Sequence, residues 1–155
     1  MIRISPKNSP ISSFSRRKIW LYHSKVVILQ KITERWIDRY NKERLVEIVL
    51  YVLNKTGELD YHTLLKTIYF AELKHLAKWG QRMTEDDVCA MPYGPVLSHL
   101  LDAIKGDSHE RELSQMLRTA FKFASEDASN IMLPLRKANE DYLSESEKEA
   151  LDASI

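Results

Sequence analysis

The stretch from Asp60 to Val96, DYHTLLKTIYFAELKHLAKWG followed by QRMTEDDVCAMPYGPV, limits the fold of this chain more than any other part. Asp60 is a helix N-cap by type, a short acceptor side chain standing just before an apolar period. That period predicts a central helix over Tyr61–Trp79, closed by Gly80, a residue that takes the left-handed conformation at low cost. At 100° per residue, Tyr61, Leu64, Leu65, Ile68, Leu76 and Trp79 share one face, while Lys66, Thr67, Lys74 and Lys78 lie on the other side. Glu72 falls near the middle of the apolar face, with His75 one turn on. A buried carboxylate is costly unless it is paired. The two are therefore expected either to satisfy each other and nearby backbone donors or to line an open pocket, and the satisfied internal cluster is the preferred reading.

Beyond Gly80, Gln81–Asp87 is polar and turn-like, with Thr84 and Asp86 suited to bonding local backbone. Val88–Met91 reads as a strand, in which Cys89, between Val88 and Ala90, is expected to be buried. Pro92-Tyr93-Gly94-Pro95 forces a bend. Gly94 can adopt a conformation closed to other residues, and Pro95 suits the first position of a helix carrying Leu97, Leu100, Leu101 and Ile104. Gly106 closes that helix, and Asp107 with Glu110 opens a weaker one that packs through Leu113, Met116 and Leu117.

At 155 residues the chain fits one domain with appendages. Residues 1–40 carry a net charge of +7 and the remainder −6, so the overall +1 hides a basic arm on an acidic body. Such a body is no nucleic-acid reader; any such contact, and a weak one, falls to the arm. Residues 1–15, rich in Ser and Pro, are expected to be disordered. Arg16-Arg17 followed by an apolar run resembles the start of an export signal, but the run is interrupted, short and without a cleavage site, so a cytoplasmic protein with no membrane contact is expected. Residues 26–40 have helical spacings through Val27, Leu29, Ile32, Trp36 and Ile37. The compact domain is expected to start at Asn41, a residue of N-cap type, with a helix over 42–54 covered on more than one side and ended by Gly57.

Toward the C-terminus, Thr119–Ala124 and Ile131–Leu135 alternate as a β-hairpin, with Phe121 and Phe123 on one face and Ile131, Leu133 and Leu135 on another. Pro134 places the second strand at an edge, or its pairing at an end. Val88–Met91 is a candidate third strand. Ser144 to Glu147 has the capping-box pattern and opens a helix with Ala150 and Leu151 inside. The fold class is α+β, mainly α: a compact helical domain over 41–155 with a small antiparallel hairpin or sheet.

No cofactor, metal or catalytic residue is expected. The five histidines lack zinc-hydrolase spacing, with His62 and His75 roughly 20 Å apart along one helix. Cys89 has no partner cysteine, and no phosphate-binding glycine loop is present. A ligand-binding or hydrolytic site around Glu72, His75 and Tyr93 is the minority alternative.

Three blocks of residues resemble the Panacea domain of the SocA-like antitoxins. They are Leu59-Asp60-Tyr61-His62 with Leu64-Leu65-Lys66, Tyr69-Phe70-Ala71-Glu72 and His75-Leu76; then Thr84, Asp86, Ala90-Met91 and Tyr93-Gly94-Pro95-Val96; and finally Leu143 to Glu147 with Ala150-Leu151-Asp152. The resemblance covers about Asn41 to Ile155. It implies an α-rich fold with a small antiparallel sheet and a non-enzymatic antitoxin of a type II-like toxin–antitoxin system, bacterial or phage-associated. Such a protein holds a toxin encoded by the adjacent gene inactive by direct binding. Some members resemble adaptors that deliver the toxin to a AAA+ protease. The sequence departs from the family pattern at Cys89 and Pro92, and many members continue for another helix, so a domain short at its C-terminus is expected. Trp20 and Phe70 are the candidate partner contacts, since Phe70 lies opposite the apolar face of the central helix; in a three-layer helical packing Phe70 is instead core, and that is the preferred reading.

Overall fold

Nine consecutive residues, Leu45–Leu53, are buried, Glu47 among them. A helix apolar on every side can only be stable when enclosed, and this segment is the innermost element of the structure. The computed structural model describes residues 13–92, 94–124 and 130–155, with side chains from Val26 onward. The chain divides into two units, Met1–Asp38 and Arg39–Ile155.

Helix α1 is continuous over Ser13–Thr56. The segments expected as separate helices over 26–40 and 42–54 are thus one element, and Asn41 lies within it rather than capping a new start. Helix propensity on both sides outweighs the cap preference of one Asn. Residues 13–15, expected to be disordered, are its first residues, and the rest of that segment lies outside the described residues. Gly57, at φ 82°, ends the helix as expected, its N–H bonding to Leu53 O.

In the second unit, strand β1 (Leu59–Asp60) leads into α2 (Tyr61–Trp79). Asp60 caps α2 through bonds from the N–H groups of His62 (2.9 Å) and Thr63 (3.2 Å), and Gly80 closes it at φ 69°. The buried stripe of α2 is Leu64, Leu65, Thr67, Ile68, Ala71, Glu72 and His75. Thr67 is therefore inside, against expectation, whereas Leu76 and Trp79 are 42% and 50% exposed. The apolar period continues to Trp79, but the core does not extend under the last turn.

Strands β2 (Val88–Met91) and β3 (Gly94–Leu97) form a two-stranded antiparallel hairpin of their own. Pro95 is therefore a strand residue opposite Ala90, not the first residue of a helix, and α3 (Ser98–Lys105) begins three positions later. Gly94, at φ 113°, sits at the start of β3 in a conformation that strains other residues. Cys89 is exposed rather than buried, because no layer covers β2. Helix α4 (Arg111–Ala120) follows a short 3-10 turn and buries Leu113, Ser114, Leu117 and Ala120. Asp107 caps that turn through His109 N, without the reciprocal bond of a capping box, since Glu110 turns to His99 instead.

Strands β4 (Phe121–Phe123) and β5 (Ile131–Pro134) pair antiparallel as expected, and Phe121 and Phe123 meet edge to face. The sheet has the order β1-β5-β4, so β5 is central and Pro134 lies at the end of its ladder, opposite Phe121. The third strand is β1, not β2. The core-facing residue of β5 is Met132, fully buried, while Ile131 and Leu133 are half-covered and Leu135 is 50% exposed. Helix α5 (Glu145–Asp152) opens on the expected capping box between Ser144 and Glu147 and packs on α2. Helices with two small antiparallel sheets make the α+β, mainly α class.

Candidate functional site

Glu72 is 3% exposed, and three donors converge on it. Its Oε2 accepts from Met83 N (2.8 Å) and Thr84 N (2.9 Å), and its Oε1 accepts from Arg82 Nε (2.9 Å). The carboxylate thus anchors the loop after α2 to the helix itself. Arg82 also donates to Asp86 O at 2.5 Å. His75 does not pair with Glu72. One ring nitrogen meets Gln81 O (2.8 Å) and the other Ser146 Oγ (3.1 Å), which ties α2 to the start of α5. Both side chains are satisfied, Glu72 by backbone donors as expected, but not by each other. Both carboxylate oxygens of Glu72 and both ring nitrogens of His75 are thus engaged by the protein itself.

Asp86 is a second anchor. Its two carboxylate oxygens accept from His99 N (2.9 Å) and Leu100 N (2.8 Å), capping α3 from outside, because Leu97 at the cap position has no side-chain acceptor. Burial pushes the Asp86 carboxyl up from its ordinary value, and these backbone donors pull it partly back. Thr84 Oγ1, by contrast, is buried without a hydrogen-bond partner among the described residues. An unpaired buried hydroxyl costs about 1–3 kcal/mol. Thr84→Val is accordingly expected to stabilise the fold by about 1 kcal/mol, read as a rise in the thermal midpoint.

His99 stands on the rim of this region. Its Nδ1 meets Glu110 Oε1 at 2.8 Å and its Nε2 lies 3.6 Å from Asp87. The hydrogen bond to Glu110, helped by the charges of Asp86, Glu110 and Asp87, raises its pKa above the ordinary 6.5. A raised histidine pKa means that the folded state holds the proton more tightly. The stabilisation is therefore complete below about pH 6.5 and is lost as pH rises through the folded value. Asp86, raised by burial, acts in the same sense in the acid range. The stability difference between wild type and His99→Gln should be largest near pH 6 and shrink toward pH 8.5 in urea unfolding curves.

Two further buried carboxylates, Glu47 and Glu147, do the same work elsewhere; sequence reasoning missed Glu47, and for Glu147 it found the capping box but not the ion pair with Arg44. Glu47 of α1 accepts a two-pronged contact from Arg136 (2.9 and 2.6 Å) and a bond from Asn139 N (2.7 Å). Glu147 pairs with Arg44 and receives Ser144 N at 2.8 Å. The available signal for Glu47 was an acid inside the apolar run LVEIVLYVL, the same kind of signal that marked Glu72.

Most sequence-predicted site residues thus belong to the scaffold. Asp60 caps α2, Glu72, Thr84 and Asp86 lie in one buried loop cluster, and Gly94 and Pro95 form the start of β3. Lys66 is exposed, Tyr69 is half-buried, and Phe70 is 52% exposed, its ring 5.6 Å from that of Tyr69. Leu73 and Leu76 are both 42% exposed, Leu73 beside Phe70 and Leu76 at the border of the apolar face. Tyr93 and the side chain of Trp20 lie outside the described residues. Among the described residues no group of three or more His, Cys, Asp or Glu is disposed to hold a metal, and no helix is long and apolar enough to cross a membrane.

A family model, antitoxin SocA-like, Panacea domain, matches residues 64–155, more than half of the chain. The chain belongs to the SocA-like antitoxin family. No curated protein and no solved structure matches it. The matched segment of this SocA-like chain contains the anchors Glu72, Asp86 and Glu147 and all of β2 to α5. It leaves out α1, whose first unit carries a second surface feature. Val26, Leu29, Ile32, Trp36 and Ile37 fall on one side of the helix and are 58%, 63%, 48%, 70% and 55% exposed. Lys31, Glu34, Arg35 and Asp38 occupy the opposite side, together with Val27 and Ile28, which are 37% and 56% exposed. The apolar seam runs about 16 Å along the helix.

Proposed function

We propose that this chain is the antitoxin of a toxin–antitoxin pair and neutralises a toxin encoded beside it by direct protein–protein contact, without catalysis. The observation that carries the reading is the seam on α1. A row of large apolar side chains at helical spacing, with a tryptophan among them, is what a helix-in-groove interface uses for anchoring. Soluble proteins seldom leave such a row in water unless it is a contact surface. Family membership supplies the partner class, and the saturated hydrogen bonding of Glu72 and His75 supports a binding role over a hydrolytic one. The basic charge of residues 1–40 suits a partner with an acidic groove and speeds the encounter. We place this activity in the cytoplasm.

Co-expression tests the reading. The protein should co-purify with the product of the adjacent gene and restore growth to cells that express that product. If the protein neither co-purified with that product nor restored growth, the antitoxin reading would fall. A role as adaptor for a AAA+ protease makes a different forecast: the toxin's half-life falls only when this protein and the protease are both present.

A further inference from the structure

A half-open cavity of about 430 Å³ lies where the ends of α3 and α4 meet β4. Its apolar lining includes Ile104, Phe121 and Phe123, and Lys105, Arg118 and Lys122 add three cations and no acid. Among the described residues none of these cations forms an ion pair. Basic residues at helix C-termini complement the helix dipole, but each terminus supplies only about half a negative charge. Two termini thus offset about one of the three cations, leaving an excess of positive charge over an apolar floor.

The same place holds a sheet edge that no other strand pairs among the described residues. β4 is the outer strand of the order β1-β5-β4. Ala124 N bonds Ile131 O and Leu135 N bonds Ala120 O, so the alternation of an antiparallel ladder turns Lys122 toward β5 and Phe121 and Phe123 away from it. Phe121 N–H is taken by Leu117 O. Phe121 C=O and both main-chain groups of Phe123 remain on the outward side, and no turn, loop or cap bond uses them among the described residues. Successive strand residues point to opposite faces. A cavity lined by all three residues of β4 and by none of β5 therefore runs along that edge.

We propose that this edge is a docking site for an extended acidic peptide segment of a partner protein, which adds as a strand to β4. Its main chain bonds to Phe121 and Phe123, an apolar side chain enters the cavity, and its carboxylates face Lys105, Arg118 and Lys122. Strand addition draws affinity from main-chain bonds and specificity from pockets for alternate side chains. The site is separate from the α1 seam, and the inference stands whether or not the antitoxin reading does.

The test uses the full chain and a fluorescein-labelled peptide in which glutamate alternates with valine around one central phenylalanine, followed by fluorescence anisotropy. Saturable binding is expected. It should fall about tenfold or more when lysine replaces the glutamates, and likewise in the K105E/R118E/K122E variant. N-methylation of alternate peptide nitrogens should abolish binding in one register and spare it in the other, because only one set of N–H groups faces the edge. This peptide series keeps the test decisive even if the charge-reversed protein folds poorly. No saturable binding, equal binding of the lysine peptide, or indifference to both N-methylated registers would overturn the proposal. So would pyrophosphate binding with the same cation dependence while the peptide does not bind.

Discussion

Aspartate at both Leu29 and Trp36 is expected to abolish toxin neutralisation while leaving the domain's melting temperature within about 2 °C of wild type. Both side chains are mostly exposed, at 63% and 70%, and exposed substitutions usually change stability by less than about 0.5 kcal/mol. At an interface the same residues are anchors. Truncating a buried aromatic or aliphatic anchor costs about 2–4 kcal/mol, and a charge placed there adds the penalty of desolvating it. Losing both corresponds to roughly a thousandfold in affinity or more, enough to remove growth rescue at cellular concentrations. The measurement is rescue by the double variant, with its melting curve as the control for folding. The companion variant Phe70→Asp asks whether the open side of α2 belongs to the same interface; a loss of rescue there would extend the contact surface beyond α1.

The second large effect is on the scaffold. Glu72→Ala should destabilise the second unit by about 3 kcal/mol, because it leaves the N–H groups of Met83 and Thr84 buried without an acceptor, at about 1–3 kcal/mol each. Glu72→Gln keeps one oxygen to receive part of the pair and should cost less. Arg82→Ala should cost under about 1 kcal/mol, since the Arg82 side chain is 42% exposed and its pairing is screened by water. Urea unfolding of the three variants reads this order. If Arg82→Ala matched Glu72→Ala, the ion pair rather than the backbone bonds would hold the loop.

This ordering explains which parts of the fold were legible in the sequence. Helix ends set by local chemistry were readable: Asp60 and Gly80 bound α2, and Ser144 with Glu147 opens α5, because cap and capped groups lie within a few residues. What Glu72 needed was also readable, since an acid on an apolar face must find donors. Its actual donors were not, because they sit ten to twelve positions away in a loop without a period of its own. The pairing of β1 was hidden for a similar reason: two residues, Leu59 and Asp60, carry no alternation, and their partners Met132 and Ile131 are more than seventy positions on. The facing of β5 misled, because Ile131, Leu133 and Leu135 outnumber Met132, yet Met132 is the residue between the layers. Asn41 misled as well, since a good cap residue inside a long helix is simply passed over.

The candidate site divides along the same line. Thr84 and Asp86 were identifiable as loop residues suited to backbone bonding, and Asp86 does bond backbone, but to the start of α3 instead of its own turn. The unfilled acceptor and donor capacity of Thr84 Oγ1 is invisible without packing. On α2, Phe70, a candidate contact for which core packing was the preferred reading, stands on the open side, and Leu76, expected on the apolar face, is 42% exposed, because a period alone cannot tell a core from a contact surface. The seam on α1 was visible as helical spacing; that the described residues leave it exposed is knowledge only the structure provides.

Titration calorimetry of the purified adjacent gene product into this protein, at several temperatures, tests the central claim most directly. Burial of the α1 seam predicts saturable binding with a negative heat-capacity change, and the L29D/W36D variant should show no binding in the same range. Saturable binding that the double variant retains unchanged, or no binding by wild type, would contradict the account.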